Sequence, residues 1–219
     1  DLLKKIESTQ TPYVLAFRKY AGHRSNSICC DDRLGGRLVA QALYEHGHRS
    51  FLYVASTRAQ QVSMERFNGF SGKLMELGVS SEKIHVIVSN GSRRDAHNAV
   101  SLWAEEFSPG QKFPATAIFA FSDYTAFGVC AALREKGIRV PDDISVIGYD
   151  NNEFTDIIGA PMCTVDGHIL TISKGAAQML IDIIKRSGED PAVEPQEVIL
   201  QPELVWRQSV ADVDPGASG

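Results

Sequence analysis

Residues 137–152 constrain the fold more than any other segment of this chain. Their sequence is GIRVPDDISVIGYDNN, in which Gly137 predicts a helix end because glycine adopts the left-handed cap without a Cβ clash. Pro141 prevents the helix from restarting, and residues 144–147 are a short apolar run typical of a strand covered on both faces. Asp150 follows the carboxyl end of that strand, where open α/β sheets bind their ligands.

Segments typical of strands and helices alternate along the whole chain. Strands are predicted at residues 12–17, 27–30, 51–55, 83–88, 115–121, 144–148, 162–165 and 197–205. Helices are predicted at residues 2–8, 63–77, 94–107, 122–136 and 169–183, together with one that is capped by Asp31 or Asp32 and ended by Gly47. Repeated strand–helix units imply parallel sheets with helices on both faces, which is an α/β fold.

Length, charge and cysteine content limit the class of protein. The 219 residues fit one large domain or two small ones, and the net charge of −5 argues against a nucleic-acid surface within this chain. No apolar run is long enough to span a membrane. The four cysteines lack the paired spacing of a zinc site, so we expect no metal, reduced thiols and a cytoplasmic location. Because the chain opens at Asp1 without a signal sequence, we expect it to be a piece of a longer protein.

Signatures of common enzymes are missing from the sequence. It contains no dinucleotide-binding glycine motif after a strand, no Walker loop, no zinc-protease motif and no nucleophile elbow. Gly35 and Gly36 fall inside a helical pattern, which favours close helix packing over a phosphate-binding loop. We therefore expect neither catalysis nor a cofactor.

Arg66 and Asp150 are the best candidates for a binding site. Arg66 lies in the first turns of the helix after the strand at 51–55, where its planar guanidinium can donate to hydroxyl pairs or to a carboxylate. Alternatively, Arg66 is a surface residue paired with Glu65 or Glu76, and Asp150 is a turn-forming aspartate. Both residues follow the carboxyl ends of strands in one sheet, which favours a shared site.

Residues 137–151 resemble the signature of the lactose-repressor/galactose-repressor family of transcription regulators. Four further stretches agree in order and spacing, namely Gly35-Gly-Arg with His46-Gly-His48, Arg66-x-x-Gly-Phe70, Pro114-x-Thr-Ala-Ile-Phe with Ser122-Asp123, and Arg207-Gln-Ser-Val210. The resemblance covers about residues 1–210. It implies a periplasmic-binding-protein-like fold of type I with two doubly wound parallel-sheet lobes, of which the first is incomplete here.

The resemblance also implies a domain organisation. Residues 1–24 and 167–192 would be the remainder of the N-terminal lobe, and residues 25–166 with 193–210 would form the C-terminal lobe. Residues 211–219 would be a disordered tail. The DNA-binding helix-turn-helix head of the family would be absent from this chain.

The family's effector site maps onto several positions of this sequence. Arg66 matches the arginine that grips the effector, and Asp150 matches the aspartate that accepts its hydroxyl or ring N–H bonds. Ser122 stands where sugar-binding members often have asparagine, Asn90 stands where an aromatic ring commonly stacks on the effector, and Gln60 lines the same loop as Arg66.

Two positions depart from the family pattern. Phe17 replaces a frequent first-lobe aspartate and is followed by Arg18, while Gly167 replaces a common glutamine. A stacking Phe17 beside a cationic Arg18 would favour a ring-bearing or anionic effector. Phe17 could equally pack at the hinge.

The resemblance implies a ligand-responsive regulator, a repressor, whose core senses a sugar or related metabolite between its lobes. Ligand-dependent closure would control operator binding by the missing head, in a homodimer without membrane contact. The alternative is a periplasmic sugar-binding protein of a transporter, which shares the fold. An upstream secretory signal would favour the alternative, and an upstream helix-turn-helix would exclude it.

Overall fold

The structure of the chain, a computed structural model, describes residues 2–9, 11–20, 22, 24–106, 113–156, 161–186 and 194–213. Of the predicted tail at 211–219, the part beyond residue 213 lies outside the described residues. The helices are α1 (Leu2–Ser8), α2 (Asp32–Glu45), α3 (Gln60–Glu76), α4 (Arg93–Glu105), α5 (Asp123–Glu135) and α6 (Ile169–Arg186). The strands are β1 (Leu15–Ala16), β2 (Ser27–Cys30), β3 (Phe51–Ser56), β4 (Ile84–Ser89), β5 (Ala117–Ala120), β6 (Ser145–Ile147), β7 (Thr164–Asp166), β8 (Glu197–Leu200) and β9 (Glu203–Val205).

The chain divides into two compact units. The first unit contains residues 1–31 and 168–200, and the second contains residues 32–167 and 201–219. In the first unit, β1, β2 and β8 form a parallel sheet in the order β1-β2-β8. Ile28, Cys30 and Ile172 form its buried core, so helix α6 packs on this sheet through Ile172.

The second unit is built on a four-stranded parallel sheet in the order β4-β3-β5-β6. Successive residues of β3 face opposite sides, as the pleat of a strand requires. Phe51 and Tyr53 pack with residues of α2 and α3, whereas Leu52 and Val54 pack with residues of α4 and α5. Helices therefore cover both faces of the sheet, and the predicted α/β class with parallel sheets is confirmed.

Strands β7 and β9 form a separate antiparallel pair in the second unit. A parallel bridge between Ile147 and Cys163 joins the segment before β7 to strand β6. This arrangement places residues 163–166 beside the turn that follows β6, where Asp150 lies.

The observed units differ from the predicted lobes at their boundaries. The predicted C-terminal lobe includes residues 25–31 and 193–200, which the first compact unit contains, and the predicted N-terminal lobe includes Gly167, which the second unit contains. Strand β2 pairs in parallel with both β1 and β8, which holds these three strands in one unit. The assignment of residues to lobes stays a prediction. The single strand predicted over 197–205 is interrupted at Gln201 and Pro202. Proline removes a ladder donor, and the chain passes from β8 in one unit to β9 in the other.

Within the described residues, no helix combines the length and the apolar character that a membrane crossing requires.

Candidate functional site

Five of the predicted site residues lie beyond the carboxyl ends of strands in the second unit's main sheet. Gln60 and Arg66 follow β3, Asn90 follows β4, Ser122 follows β5 and Asp150 follows β6. Since these strands are parallel, their carboxyl ends share one edge of the sheet. This edge is the candidate site.

Arg66 is held firmly at this edge. Its Nε donates to Asp32 Oδ1 at 2.8 Å, and its Nη1 donates to the backbone oxygen of Phe121 at 2.6 Å. Its guanidinium carbon lies 3.4 Å from the centroid of the Tyr149 ring, a cation–π contact. The Arg66 side chain is 9% exposed, which excludes the alternative of a surface arginine paired with Glu65 or Glu76.

Asp150 faces the same guanidinium but contacts it weakly. The distance from Arg66 Nη2 to Asp150 Oδ1 is 3.5 Å, which is longer than an ordinary charge-assisted hydrogen bond. No hydrogen bond from the described residues reaches Asp150 Oδ2, although the side chain is only 23% exposed. The structure thus brings Arg66 and Asp150 together and leaves acceptor capacity on the aspartate.

Electrostatics at the site reflect this uneven pairing. Burial raises the pKa of Asp150 to about 6; Arg66 opposes the rise, and the carboxylate of Asp32 adds to it. An ion pair alone would lower the pKa of an aspartate. Here burial prevails, because Arg66 is shared with Asp32, its closer partner. Burial disfavours the charge on Arg66, but Asp32 and Asp150 outweigh that cost and raise the pKa of Arg66.

The turn that carries Asp150 is conformationally strained. Asp150 has φ of 109° and Asn151 has φ of 51°, backbone angles that residues other than glycine rarely adopt. Such strain costs about 1–3 kcal/mol per residue and persists only where surrounding contacts enforce it. The Asp150 N–H donates to Val165 O at 2.8 Å, which ties the turn to strand β7.

Asp123 is the main buried anchor of this turn. Its Oδ2 accepts from Asn152 N at 2.7 Å, and its Oδ1 accepts from Thr164 Oγ1 at 2.6 Å. Burial raises the pKa of Asp123 to about 7, although the hydrogen bonds from Asn152 and Thr164 oppose this rise. Asp123 therefore connects helix α5, the strained turn and strand β7.

Arg207 supports the turn from its other side. Its Nη2 donates to Asn151 Oδ1 at 3.0 Å, and its Nη1 donates to Met162 O at 3.1 Å. The motif at 207–210 therefore reaches the site indirectly, through the residue next to Asp150.

The other predicted residues of this edge make local contacts. Ser122 is buried and caps α5, since its Oγ accepts from Thr125 N at 3.3 Å. Asn90 Oδ1 accepts from Ser92 N at 2.9 Å, which shapes the loop before α4. Gln60 is exposed at the first position of α3. The roles of these three residues in effector binding stay predictions.

Phe17 and Arg18 belong to the first unit. Phe17 N donates to Ile28 O at 3.0 Å, and Phe17 has φ of 65° and is 39% exposed. Arg18 is exposed. Their predicted contribution to the effector site, and the choice between stacking and hinge packing for Phe17, stay predictions.

Sequence reasoning missed two side chains of the site. The sequence predicts Asp32 only as a helix cap, whereas in the structure it is the closest acidic partner of Arg66. The sequence places Tyr149 only within the family signature, whereas in the structure its ring supports the guanidinium. The position of Tyr149 directly before Asp150 could have indicated that it belongs to the site. No local pattern in the sequence links Asp32 to Arg66, which lies 34 positions away.

Comparison with known proteins gives this geometry a family context. The family model of the periplasmic binding protein-like domain matches residues 40–210. The chain belongs to this family. It is 32% identical over 218 residues to the HTH-type transcriptional repressor PurR of Actinobacillus pleuropneumoniae serotype 3, an alignment that covers 98% of this chain and 62% of that repressor. The chain thus spans less than two thirds of the length of this relative.

Two solved structures of LacI-family transcriptional regulators with bound ribose share the fold. The regulator from Enterococcus faecium has a TM-score of 0.84 at 24% identity, with 97% of this chain and 75% of that one covered. The regulator from Enterococcus faecalis V583 has a TM-score of 0.82 at 28% identity, with 97% and 73% covered. These similarities confirm the predicted lactose-repressor/galactose-repressor membership and the periplasmic-binding-protein-like fold. The relatives named here are transcription regulators.

Proposed function

We propose that this chain is the effector-binding core of a ligand-responsive transcriptional repressor, and that its effector is a neutral sugar or a closely related polyhydroxy metabolite. The observation that carries the proposal is the pair formed by Arg66 and Asp150. A half-buried aspartate keeps an oxygen without a hydrogen bond from the described residues, next to a guanidinium whose distance to the carboxylate is 3.5 Å. A ligand hydroxyl can donate to Asp150 and accept from Arg66 at once.

The charge of the site favours an uncharged effector. Arg66 carries one positive charge, and its two carboxylate neighbours Asp32 and Asp150 carry one negative charge each when ionised. An anionic ligand would add a third negative charge to a group with little exposure to water, which costs several kcal/mol unless it is compensated. Hydroxyl or ring N–H donors satisfy Asp150 without that cost. An anionic effector, which Phe17 and Arg18 suggested, is therefore not our preferred ligand.

The remaining features of the proposal concern the complete regulator. We infer that effector binding biases the complete protein between two arrangements of differing affinity for operator DNA, which is the requirement for any allosteric ligand. We propose that the complete protein is a homodimer, because operator half-sites are matched by two-fold symmetric regulators. We place it in the cytoplasm, where a regulator has access to DNA, and we infer no catalytic activity.

A thermal-shift panel of pentoses, hexoses and disaccharides, each beside its phosphate ester, tests the effector class. Binding to the folded state raises the melting temperature by mass action, so a neutral sugar should stabilise the chain more than its phosphate does. The sugar with the largest shift is then titrated by calorimetry into wild type and into Asp150→Asn. Loss of a hydrogen bond to a charged acceptor should weaken binding by about 1.5–3 kcal/mol, which is roughly 10- to 150-fold.

Asp143→Asn is the matched control. Asp143 is an acidic residue whose side chain is 39% exposed and pairs with Arg139, outside the candidate site. Its substitution should leave sugar affinity unchanged. Equal sugar affinity of wild type and Asp150→Asn would remove Asp150 from the site, and stronger stabilisation by phosphates than by parent sugars would overturn the neutral effector.

A further inference from the structure

Phe121 is an aromatic residue of the candidate site to which the proposed function gives no role. It follows β5 directly, at the carboxyl edge of the main sheet, and it is half-buried. The guanidinium carbon of Arg66 lies 5.0 Å from the centroid of its ring. The ring of Phe121 therefore belongs to the immediate surroundings of the Arg66–Asp150 pair.

The ring extends across the end of a neighbouring strand. Gly91 lies in the loop after β4, and the methyl group of an alanine at that position would lie 3.9 Å from Phe121 Cε1. The same methyl group would lie 2.5 Å from the Oγ of Ser56, the last residue of β3. In the sheet order β4-β3-β5-β6, strand β3 separates β4 from β5. The ring of Phe121 thus starts beyond β5 and reaches the loop after β4, over the carboxyl end of β3.

Phe121 is the more accessible of the two rings that contact Arg66. Tyr149 packs against the guanidinium at 3.4 Å but is completely buried. Phe121 packs only in part against the same hydrophobic core and keeps contact with solvent. A ligand at Arg66 can therefore reach the ring of Phe121 but not that of Tyr149.

Position 90 does not provide an aromatic ring at this edge. The resemblance places a stacking aromatic residue there, but this chain has Asn90, whose Oδ1 accepts from Ser92 N at 2.9 Å. A stacking surface at the site would therefore come from another residue, and Phe121 offers one beside Arg66.

We propose that Phe121 determines the specificity of the site: its ring is the floor on which the C–H face of a cyclic sugar stacks, while hydroxyls of the same sugar bind Arg66 and Asp150. The face of an aromatic ring carries partial negative charge, which attracts the slightly positive C–H groups of a sugar. A closed sugar ring holds several C–H groups on one face, whereas an open-chain polyol does not. The inference rests on the proposed function and narrows the effector from polyhydroxy metabolites in general to cyclic sugars.

Calorimetric titration of wild type with D-xylose, D-ribose and D-glucose, each beside its open-chain alditol (xylitol, ribitol and sorbitol), tests this specificity. We expect at least one of the sugars to bind about tenfold more tightly than its alditol, because the closed ring stacks on Phe121 and loses less conformational freedom on binding. An alditol that binds as tightly as its sugar would overturn the specificity and leave the proposed function standing. Absence of binding by all three sugars would overturn both proposals.

Phe121→Leu separates stacking from the support of Arg66. Leucine keeps an apolar side chain, and Arg66 Nη1 donates to the backbone oxygen of residue 121, which the substitution retains. Loss of the flat ring should weaken sugar binding by about two- to tenfold and alditol binding much less, so the ratio of the two affinities should fall. Unchanged sugar affinity, or an equal loss for sugar and alditol, would contradict stacking on Phe121.

Tyr124→Leu is the matched control. Tyr124 is an exposed aromatic residue in the first turn of α5, but its ring contacts that of Phe127, which belongs to the core on the α4–α5 side of the sheet. Sugar and alditol affinities of this variant should equal those of wild type. Circular dichroism verifies that both variants are folded.

A measurement on wild type alone tests the stacking without any substitution. Nuclear Overhauser effects should connect phenylalanine ring protons with C–H protons of the bound sugar, because stacked groups lie in van der Waals contact. Their absence in a complex with bound sugar would overturn the proposal, whatever the variants show.

Discussion

Substitution of Asp150 by asparagine should make the ligand-free chain more stable at neutral pH while it weakens effector binding. Burial raises the pKa of Asp150 from an ordinary 3.8 to about 6, despite the nearby Arg66. The folded state therefore disfavours the ionised carboxylate. Asparagine has nearly the same shape, keeps an acceptor oxygen for Arg66, and carries no charge to desolvate.

The size and sign of the effect follow from proton linkage. Because the folded pKa lies above the unfolded one, ionisation of Asp150 reduces stability progressively as the pH rises from 3.8 to about 6. The full difference corresponds to about 3 kcal/mol at 25 °C. Since 23% of the side chain is exposed, solvent screening makes this an upper limit. The stabilisation by Asp150→Asn should thus be small near pH 4 and reach about 2–3 kcal/mol above pH 7.

Urea denaturation of wild type and Asp150→Asn across this pH range measures the difference. Asp143→Asn is a control of opposite sign, because hydrogen bonds from Arg139 lower the pKa of Asp143 to about 2. Removal of that carboxylate should not stabilise the chain at neutral pH. If Asp150→Asn were less stable than wild type at pH 7, the ion pair with Arg66 would outweigh burial, and our account of the site's electrostatics would be wrong.

Four further substitutions test the packing, the buried histidine and the turn. Gly36→Ala places a methyl group 2.0 Å from Arg66 O, so it should lower the free energy of unfolding by about 1–3 kcal/mol in urea denaturation. The added methyl group of Gly72→Ala meets no atom within 4 Å, so this control should raise the free energy of unfolding by about 0.5–1 kcal/mol. Burial lowers the pKa of His48 to about 4, so protonation of this histidine should contribute a loss of up to about 3 kcal/mol as the pH falls from 6.5 to 4. The difference in unfolding free energy between wild type and His48→Gln should shift by this amount in favour of His48→Gln over that range. Asp123→Ala removes the acceptor of Asn152 N–H, and hydrogen exchange should then accelerate at that amide. Unchanged exchange would contradict the role of Asp123 as the anchor.

Local signals in the sequence predicted most element boundaries closely. Gly137 adopts φ of 75° directly after the C-cap of α5 at Lys136, as the glycine stop predicts. The strand predicted at 12–17 reduces to Leu15–Ala16. It ends before Phe17 because that residue leaves the extended region with φ of 65°. A positive φ at phenylalanine is unusual, so the sequence contains no signal for it.

Contacts between distant segments were less accessible from the sequence. The pairing of Arg66 with Asp150 could be anticipated because both follow strands of one sheet. The stronger contact of Arg66 with Asp32 could not, since helix packing alone brings the start of α2 to α3. Nor does any pattern reveal that Asp123 connects Asn152 with Thr164, because this depends on how the turn after β6 lies against β7.

A crystal structure of the chain with the sugar that gives the largest thermal shift tests the central claim most directly. We expect a sugar hydroxyl within hydrogen-bond distance of both Arg66 Nη2 and an oxygen of Asp150, where the two side chains now meet at 3.5 Å. A sugar bound elsewhere, with the contact between these two side chains untouched, would contradict the claim.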